Sequence, residues 1–376
     1  MRIDKEMYRF FVKILFRSRF NIMVQYNDFD PKRTDAYVLV GNHPCLHDGI
    51  YTSTYLKKPP MPVISATMFV RPILKFALTK LYPSISKRKG QNDIITVRKM
   101  MKATKEGRGV MLFPEGNSSY YGEQSSMPYS TVKLIKKLKK DVVVVMTNGA
   151  YLSAARWGSK PVKKGLIELH FHTLYKGEEL ADLSLDKIYS ELSEALKFND
   201  YNWNRERLYK YKPKKRALGL ERFIYLCPKC GKYQTISTKG NKIFCKNCGE
   251  IAHFNEYCFL EGLEFDNLVD WGKLQHEALP KISKDNLYTY GTLYKIDTIK
   301  YKSEKLGNVD VELVGDKLYL LYKTNEYCFD LEKIVGLALT FKDEISFDYE
   351  EETYFIKMKD PMLFYEVIKY KIGGLN

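Results

Sequence analysis

From residue 36 to about residue 200 the chain alternates short apolar runs with longer stretches in which apolar positions return every three to four residues. Short runs rich in valine, isoleucine and leucine read as buried strands, and the longer periodic stretches read as amphipathic helices. The pattern predicts strands over 36–41, 62–66, 109–113, 141–147 and 165–172. It predicts helices over 49–57, 69–81, 91–106, 130–139 and 185–197. In the third of these, Ile94, Ile95, Val97, Met100 and Met101 make a broad apolar side and Gly107 supplies the stop. Such alternation implies an α/β layered domain around a central mixed sheet, assigned here to residues 21–200.

The segment before it is patterned differently. In residues 1–20, Met7, Tyr8, Phe11, Val12, Leu15 and Phe16 recur at helical spacing, with Lys5, Arg9, Lys13, Arg17 and Arg19 between them. A basic amphipathic helix of this kind either lies in a lipid headgroup layer or packs its apolar side on the domain that follows. Residues 68–82 repeat the theme, with Phe69, Ile73, Leu74, Phe76, Ala77 and Leu81 broken by Arg71, Lys75 and Lys80.

Beyond residue 200 the alternation stops. Between 201 and 222, Arg205, Arg207, Lys210, Lys212, Lys214, Lys215 and Arg216 surround Tyr209, Tyr211 and Pro213, which reads as a solvated basic linker. Residues 223–256 form a compact cysteine module, and 257–376 a β-rich module. In the latter, 309–314 and 317–322 flank Gly315-Asp316, a hairpin signal. Strand-like runs follow at 326–330, 334–340, 345–349 and 353–358, and Asp360-Pro361 opens a closing helix through Lys371. This order, a small sheet capped by one helix, is that of pleckstrin-homology-like modules.

Composition narrows the partners. The formal net charge of +16 over 376 residues calls for an anionic one: phosphorylated lipid or cofactor, an anionic membrane surface, an acidic carrier protein or nucleic acid. No uninterrupted apolar run reaches the roughly 18 residues of a spanning helix. The N-terminus has neither the clean apolar core nor the small-residue cleavage site of a signal peptide. Of the 7 cysteines, four stand in two Cys-x-x-Cys pairs, which favours metal thiolates in a reducing compartment over disulfides. A cytoplasmic protein, peripheral on the membrane, is expected.

Two motifs follow predicted strands directly. Gly41-Asn42-His43-Pro44-Cys45-Leu46-His47-Asp48 comes after Tyr37-Val38-Leu39-Val40, and Pro114-Glu115-Gly116-Asn117-Ser118-Ser119 comes after Val110-Met111-Leu112-Phe113. Active sites in α/β sheets gather where strands hand over to loops. An imidazole is the usual protein base near neutral pH, and a carboxylate on its other nitrogen fixes the tautomer and balances the imidazolium. His43 and Asp48 meet in that way if the loop folds into a helix N-terminus. Two other readings stay open on these residues alone: metal ligation by His43, His47 and Asp48, and a merely hydrogen-bonded loop histidine.

Together, Asn42-His43-x4-Asp48 and Phe113-Pro114-Glu115-Gly116 resemble the glycerolipid acyltransferase family that makes phosphatidic acid from lysophosphatidic acid. The resemblance covers roughly residues 20–200. It implies that His43 is the general base on an acceptor hydroxyl and that Asp48 orients it. It makes Arg88, in Ser86-Lys87-Arg88-Lys89-Gly90, the candidate for an acceptor phosphate, and has Glu115 and Gly116 shape the acceptor pocket, with Asn117 and Ser118 beside them. The implied donor is an acyl thioester of coenzyme A or acyl carrier protein, and the implied acceptor is lysophospholipid-like. The chain departs from the family pattern where Asn117 and Ser118 replace a threonine and an arginine. Serine cannot reproduce a charged bidentate fork; Lys87, Lys89 or Lys133 is left to bind a phosphate, or the acceptor lacks one. The Val-rich run from Val142 to Val145 also lacks the family's usual proline.

Cys227-Pro228-Lys229-Cys230 and Cys245-Lys246-Asn247-Cys248 are matched knuckles that resemble a zinc ribbon. Four thiolates favour a tetrahedral structural zinc, with rubredoxin-like iron as the alternative. The leading expectation is therefore a peripheral membrane O-acyltransferase with a structural zinc, for which nucleic acid is not an expected partner. The competing expectation is a degenerate acyltransferase fold serving as a zinc-ribbon binding protein for nucleic acid or protein.

Overall fold

The computed structural model describes residues 5–87, 94–158, 160–322 and 325–373. Its first part runs α1 (Lys5–Arg19), β1 (Phe20–Tyr26), β2 (Val38–Gly41), α2 (Asp48–Thr54), β3 (Met61–Ser65), α3 (Pro72–Phe76), β4 (Ile85–Lys87), α4 (Ile94–Lys105) and β5 (Val110–Leu112). It continues with α5 (Ser130–Leu138), β6 (Val142–Asn148), α6 (Ala150–Ser153), β7 (Gly165–Tyr175), α7 (Leu185–Ala195) and α8 (Asp200–Arg207). The strands form one mixed sheet in the order β1-β7-β6-β2-β5-β3-β4, in which β6 and β7 are antiparallel and the other pairs parallel.

Alternation along the central strands divides the core. Val38, Val40, Val110, Leu112, Val142 and Val144 face α4, α5 and α7, where Met100, Val132, Ile135 and Leu192 meet them. Leu39, Met111, Val143 and Val145 face the opposite layer with Tyr37, Cys45 and Tyr51. Strands buried on both faces read as continuous apolar runs, which is why these were visible in the sequence. Because β2 pairs in parallel with both β5 and β6, the loops leaving Gly41 and Leu112 emerge side by side at one edge of the sheet.

The second part holds β8 (Ile236–Lys239), β9 (Lys242–Cys245), β10 (Gly249–Phe254) and β11 (Leu260–Glu261), a four-stranded antiparallel sheet carrying the cysteines. After α9 (Leu268–Ile282) come β12 (Leu287–Asp297), β13 (Lys302–Val314), β14 (Lys317–Tyr322), β15 (Asn325–Asp330), β16 (Ile334–Thr340), β17 (Glu344–Tyr349) and β18 (Glu352–Met358). They make an antiparallel seven-stranded sheet, ordered β15-β14-β13-β12-β18-β17-β16, closed by α10 (Pro361–Lys371). The hairpin at Gly315-Asp316 and the closing helix stand where the sequence put them.

Three differences have physical reasons. The helix expected over 69–81 is broken into a 3-10 turn (Ala66–Val70), α3 and a π-helical turn (Ala77–Leu81). Arg71 is extended at φ −90°, ψ 118°, as the residue before a proline tends to be. Second, the segment 201–222 is not a solvated linker. Its start is α8, and Tyr211, Arg216, Ala217 and Leu220 are buried. Arg216 donates to the Tyr151 carbonyl at 3.1 Å and lies over the Trp157 ring, so counting charges misjudged a side chain that buries its stem. Third, α9 was missed because Gly272 and Pro280 interrupt its helical period.

Candidate active site

The loop after β2 is drawn tight by buried side chains that bond backbone groups of the loop itself and of β6. Asn42 is fully buried and pairs with Thr147 at the end of β6, donating from Nδ2 to the Thr147 carbonyl at 2.8 Å and accepting the Thr147 N–H at 2.7 Å. This amide extends the β2–β6 ladder by one pair and fixes where His43 starts. Asp48 opens α2 and is also fully buried. Its Oδ2 lies 2.9 Å from His43 Nδ1 and accepts the Cys45 N–H at 2.8 Å, while Oδ1 faces the Cys45 thiol at 3.1 Å. The burial of Asp48 is thus compensated by three donors. With Nδ1–H on the carboxylate, the lone pair of His43 is left on Nε2.

Below the imidazole lies Phe113, its ring stacked at 4.6 Å between centroids. Gly41 makes this possible: a Cβ there would stand 2.9 Å from the Phe113 ring and 2.9 Å from Val145. Glu115 bridges the two loops. Its Oε1 accepts the His43 N–H and its Oε2 the Ser125 N–H, each at 2.8 Å. Burial pushes the Glu115 carboxyl up to about 7, against the downward pull of the two amides. Gly116 follows at φ +72°, a backbone conformation that side chains disfavour, and is exposed at the turn.

Residues 23–170 match the family model described as Acyltransferase. They are an acyltransferase-family domain. Matching solved structures include the 1-acyl-sn-glycerophosphate (LPA) acyltransferase PlsC from Thermotoga maritima, at 14% identity and TM-score 0.45 over 55% of this chain and 80% of that one. Inner Membrane Complex Sub-compartment Protein 3 from Toxoplasma gondii matches at 11% identity and TM-score 0.19 over 26% of this chain and 84% of that one. No curated protein matches. The chain is an enzyme of the acyltransferase class, extended by a cysteine-bearing sheet and an antiparallel sheet.

Within the acyltransferase domain, His43, Asp48 and Glu115 are drawn together, with Gly116 exposed at the turn that follows Glu115. Ser118 does not sit at the surface of the loop: it is 2% exposed, with Arg156 Nη1 lying 3.2 Å from its carbonyl and 3.5 Å from its hydroxyl. Asn117 is partly buried beside it. Arg88 and Lys89 lie outside the described residues; Lys87 is exposed at the end of β4, and Lys133 stands over the Tyr129 ring on α5. His47 is turned toward Phe16 of α1 and Tyr51 of α2, and its buried Nδ1 has no hydrogen-bond partner among the described residues. Sequence reasoning missed the support given by Asn42, Cys45, Ser125 and Arg156.

Among the described residues, the group of three or more His, Cys, Asp or Glu able to hold a metal ion is Cys227, Cys230, Cys245 and Cys248. Their sulfurs all lie within 4.8 Å of one another, with Cys227–Cys248 at 4.0 Å and Cys230–Cys245 at 3.8 Å. Sulfurs about 2.3 Å from a tetrahedral centre stand roughly 3.8 Å apart, so the donor set fits a metal. The Asn247 N–H points at Cys245 Sγ at 3.4 Å, a contact that steadies a thiolate. In the first motif, by contrast, Asp48 is bonded to His43 and Cys45, and His47 is turned to the aromatic rings of Phe16 and Tyr51.

Proposed function

We propose that the protein is an O-acyltransferase that moves a fatty acyl group from an acyl thioester, of coenzyme A or acyl carrier protein, to the hydroxyl of a lysophospholipid-like acceptor. His43 Nε2 takes the proton of the acceptor hydroxyl as its oxygen attacks the thioester carbonyl. Asp48, on Nδ1, holds the tautomer and balances the imidazolium. The tetrahedral adduct expels the sulfur, the proton returns from His43 to the leaving thiolate, and ester and free thiol are the products. Glu115 holds the His43 backbone, and Gly116 gives the acceptor room to approach. The observation carrying this reading is the 2.9 Å contact between His43 Nδ1 and a fully buried Asp48 in a domain of acyltransferase family. A pure binding protein has no chemical need for that pair.

The same reading places the enzyme against an anionic bilayer. On α1, Phe10, Phe11, Ile14 and Leu15 are exposed, with Arg17 and Arg19 exposed beside them. Phe16 docks this helix on Tyr51 at 4.8 Å, next to the loop that carries His43. Ile73 and Phe76 on α3 are exposed as well, at 85% and 52%. Apolar side chains flanked by basic ones suit a headgroup layer. Among the described residues no helix is long and apolar enough to cross a membrane. The four cysteines would hold a structural zinc; a closed sulfur shell leaves no open position for substrate.

The test is an acceptor screen with purified protein and acyl thioester, read by lipid mass spectrometry. A new acyl ester on a lysolipid supports the assignment, and the absence of any thioester-dependent product across the screen refutes it.

A further inference from the structure

Arg156 follows α6 in the turn before the long strand β7. It is only 5% exposed, and the ionisable groups that act on its charge are the Tyr120 and Tyr365 phenols. A buried guanidinium is costly unless its donors are satisfied. Here each of its three nitrogens meets a main-chain oxygen, and those oxygens come from two separate parts of the chain. Nε donates to the Phe341 carbonyl at 2.6 Å, just past the end of β16, and Nη2 to the Leu339 carbonyl within that strand of the C-terminal sheet. Nη1 donates to the Ser118 carbonyl at 3.2 Å, three residues beyond Glu115. The guanidinium carbon also lies 5.1 Å from the centre of the Tyr120 ring, and that ring packs against Tyr365 of α10 at 5.7 Å.

From Ser118 the connection reaches the proposed base in one step. Ser119 donates its N–H to the His43 carbonyl at 2.8 Å and uses its hydroxyl to hold Glu123 and Gly122. A second tie secures the far end. Arg71 meets Glu344 of β17 with both contacts at 2.5–2.6 Å, and its guanidinium carbon lies 4.1 Å from the centre of the Phe341 ring. Tyr121 adds a third, donating its hydroxyl to the buried Glu366 of α10 at 2.6 Å.

We propose that Arg156 is a positioning residue: its planar fork fixes the 115–121 loop, and through it His43, to the end of β16, making the C-terminal sheet a working part of the acyltransferase site. Lysine keeps the charge but cannot bridge three carbonyls with the same rigid geometry. A small misplacement of a catalytic group is enough to slow chemistry by about tenfold to a hundredfold. The effect on turnover rests on the O-acyltransferase reading above; the effect on the loop does not.

The experiment compares full-length wild type with Arg156→Lys and Arg71→Gln by amide hydrogen exchange and by steady-state thiol release from acyl-CoA. In Arg156→Lys the amides of His43 and of residues 115–121 should exchange about tenfold faster or more, while those of β6 stay as protected as in wild type. Its kcat per folded molecule should fall by about tenfold or more with KM for the thioester within about twofold. Arg71→Gln should move the same loop amides by a smaller factor. A folded Arg156→Lys with unchanged kcat overturns the proposal, as does unchanged exchange over 115–121. If Arg156→Lys does not fold, Arg71→Gln decides: faster loop exchange supports the proposal and unchanged exchange overturns it. A wild type without thioester turnover sinks the functional reading alone, and the exchange comparison still tests the loop.

Discussion

Ser119 donates its backbone N–H to the carbonyl of His43 at 2.8 Å, so the loop leaving β5 is bonded main chain to main chain to the loop leaving β2. Glu115 repeats the link from its side chain, accepting the His43 N–H at the same distance. The imidazole therefore projects from a backbone held on both its N–H and its C=O. Such support lets a loop residue keep the alignment that proton transfer requires.

Replacing Asp48 with asparagine should separate tautomer control from packing. The carboxylate accepts from His43 Nδ1, the Cys45 N–H and the Cys45 thiol; an amide of equal shape must turn an NH2 toward one of these donors. Acyl transfer should drop by about 10²–10⁴, with the thioester KM near wild type. Steady-state thiol release checks this, and a loss smaller than about threefold would contradict the role given to Asp48.

Glu115 predicts a pH dependence with a definite sign. Its folded-state carboxyl titrates near 7, above the ordinary value of 4.5, because burial disfavours its charge. Between those two pH values the folded protein holds the proton that the unfolded chain releases. This group's contribution to stability is therefore present in full below about 4.5 and is lost as pH rises through about 7. Melting temperatures of wild type and Glu115→Gln, measured from pH 5 to 8, should show wild type losing stability relative to the variant as pH rises; parallel curves would count against the assignment.

The strands and the two motifs were legible because their signals are local. The apolar runs of β2, β5 and β6 are buried on both faces, and the loops holding His43 and Glu115 directly follow β2 and β5. Matched cysteine knuckles and a Gly-Asp turn are likewise written in a few adjacent positions. What stayed hidden depends on partners far along the chain. Arg156 acquires meaning only from carbonyls of Leu339 and Phe341, 183 and 185 residues away. The bonds from Glu115 to the backbone of His43 and Ser125 likewise join positions that the sequence pattern does not link. Strand β1 was overlooked because it is only half-buried, and the basic region after residue 200 because a stacked arginine and a solvated one look alike in sequence.

The cysteine cluster predicts about one zinc per chain by elemental analysis of native protein. Replacing Cys227 and Cys245 together with serine should remove the metal and lower the melting temperature, since metal binding and folding are coupled. Zinc kept by that double variant would place the metal elsewhere.

Membrane association should depend on the exposed side of α1. Each phenylalanine side chain moved from water to an apolar layer contributes about 1.5–3 kcal/mol, so Phe10→Asp with Phe11→Asp should weaken vesicle binding by at least about tenfold. Binding should prefer anionic vesicles and fall with added salt. Equal flotation with neutral and anionic vesicles would contradict the electrostatic part.

The most direct test is the rate of thiol release from an acyl thioester by wild type and by His43→Ala, with a lysophospholipid acceptor present. Loss of at least about a hundredfold in the variant, at unchanged melting temperature, is the predicted result. A variant that releases thiol at the wild-type rate would contradict the assignment of His43 as the base.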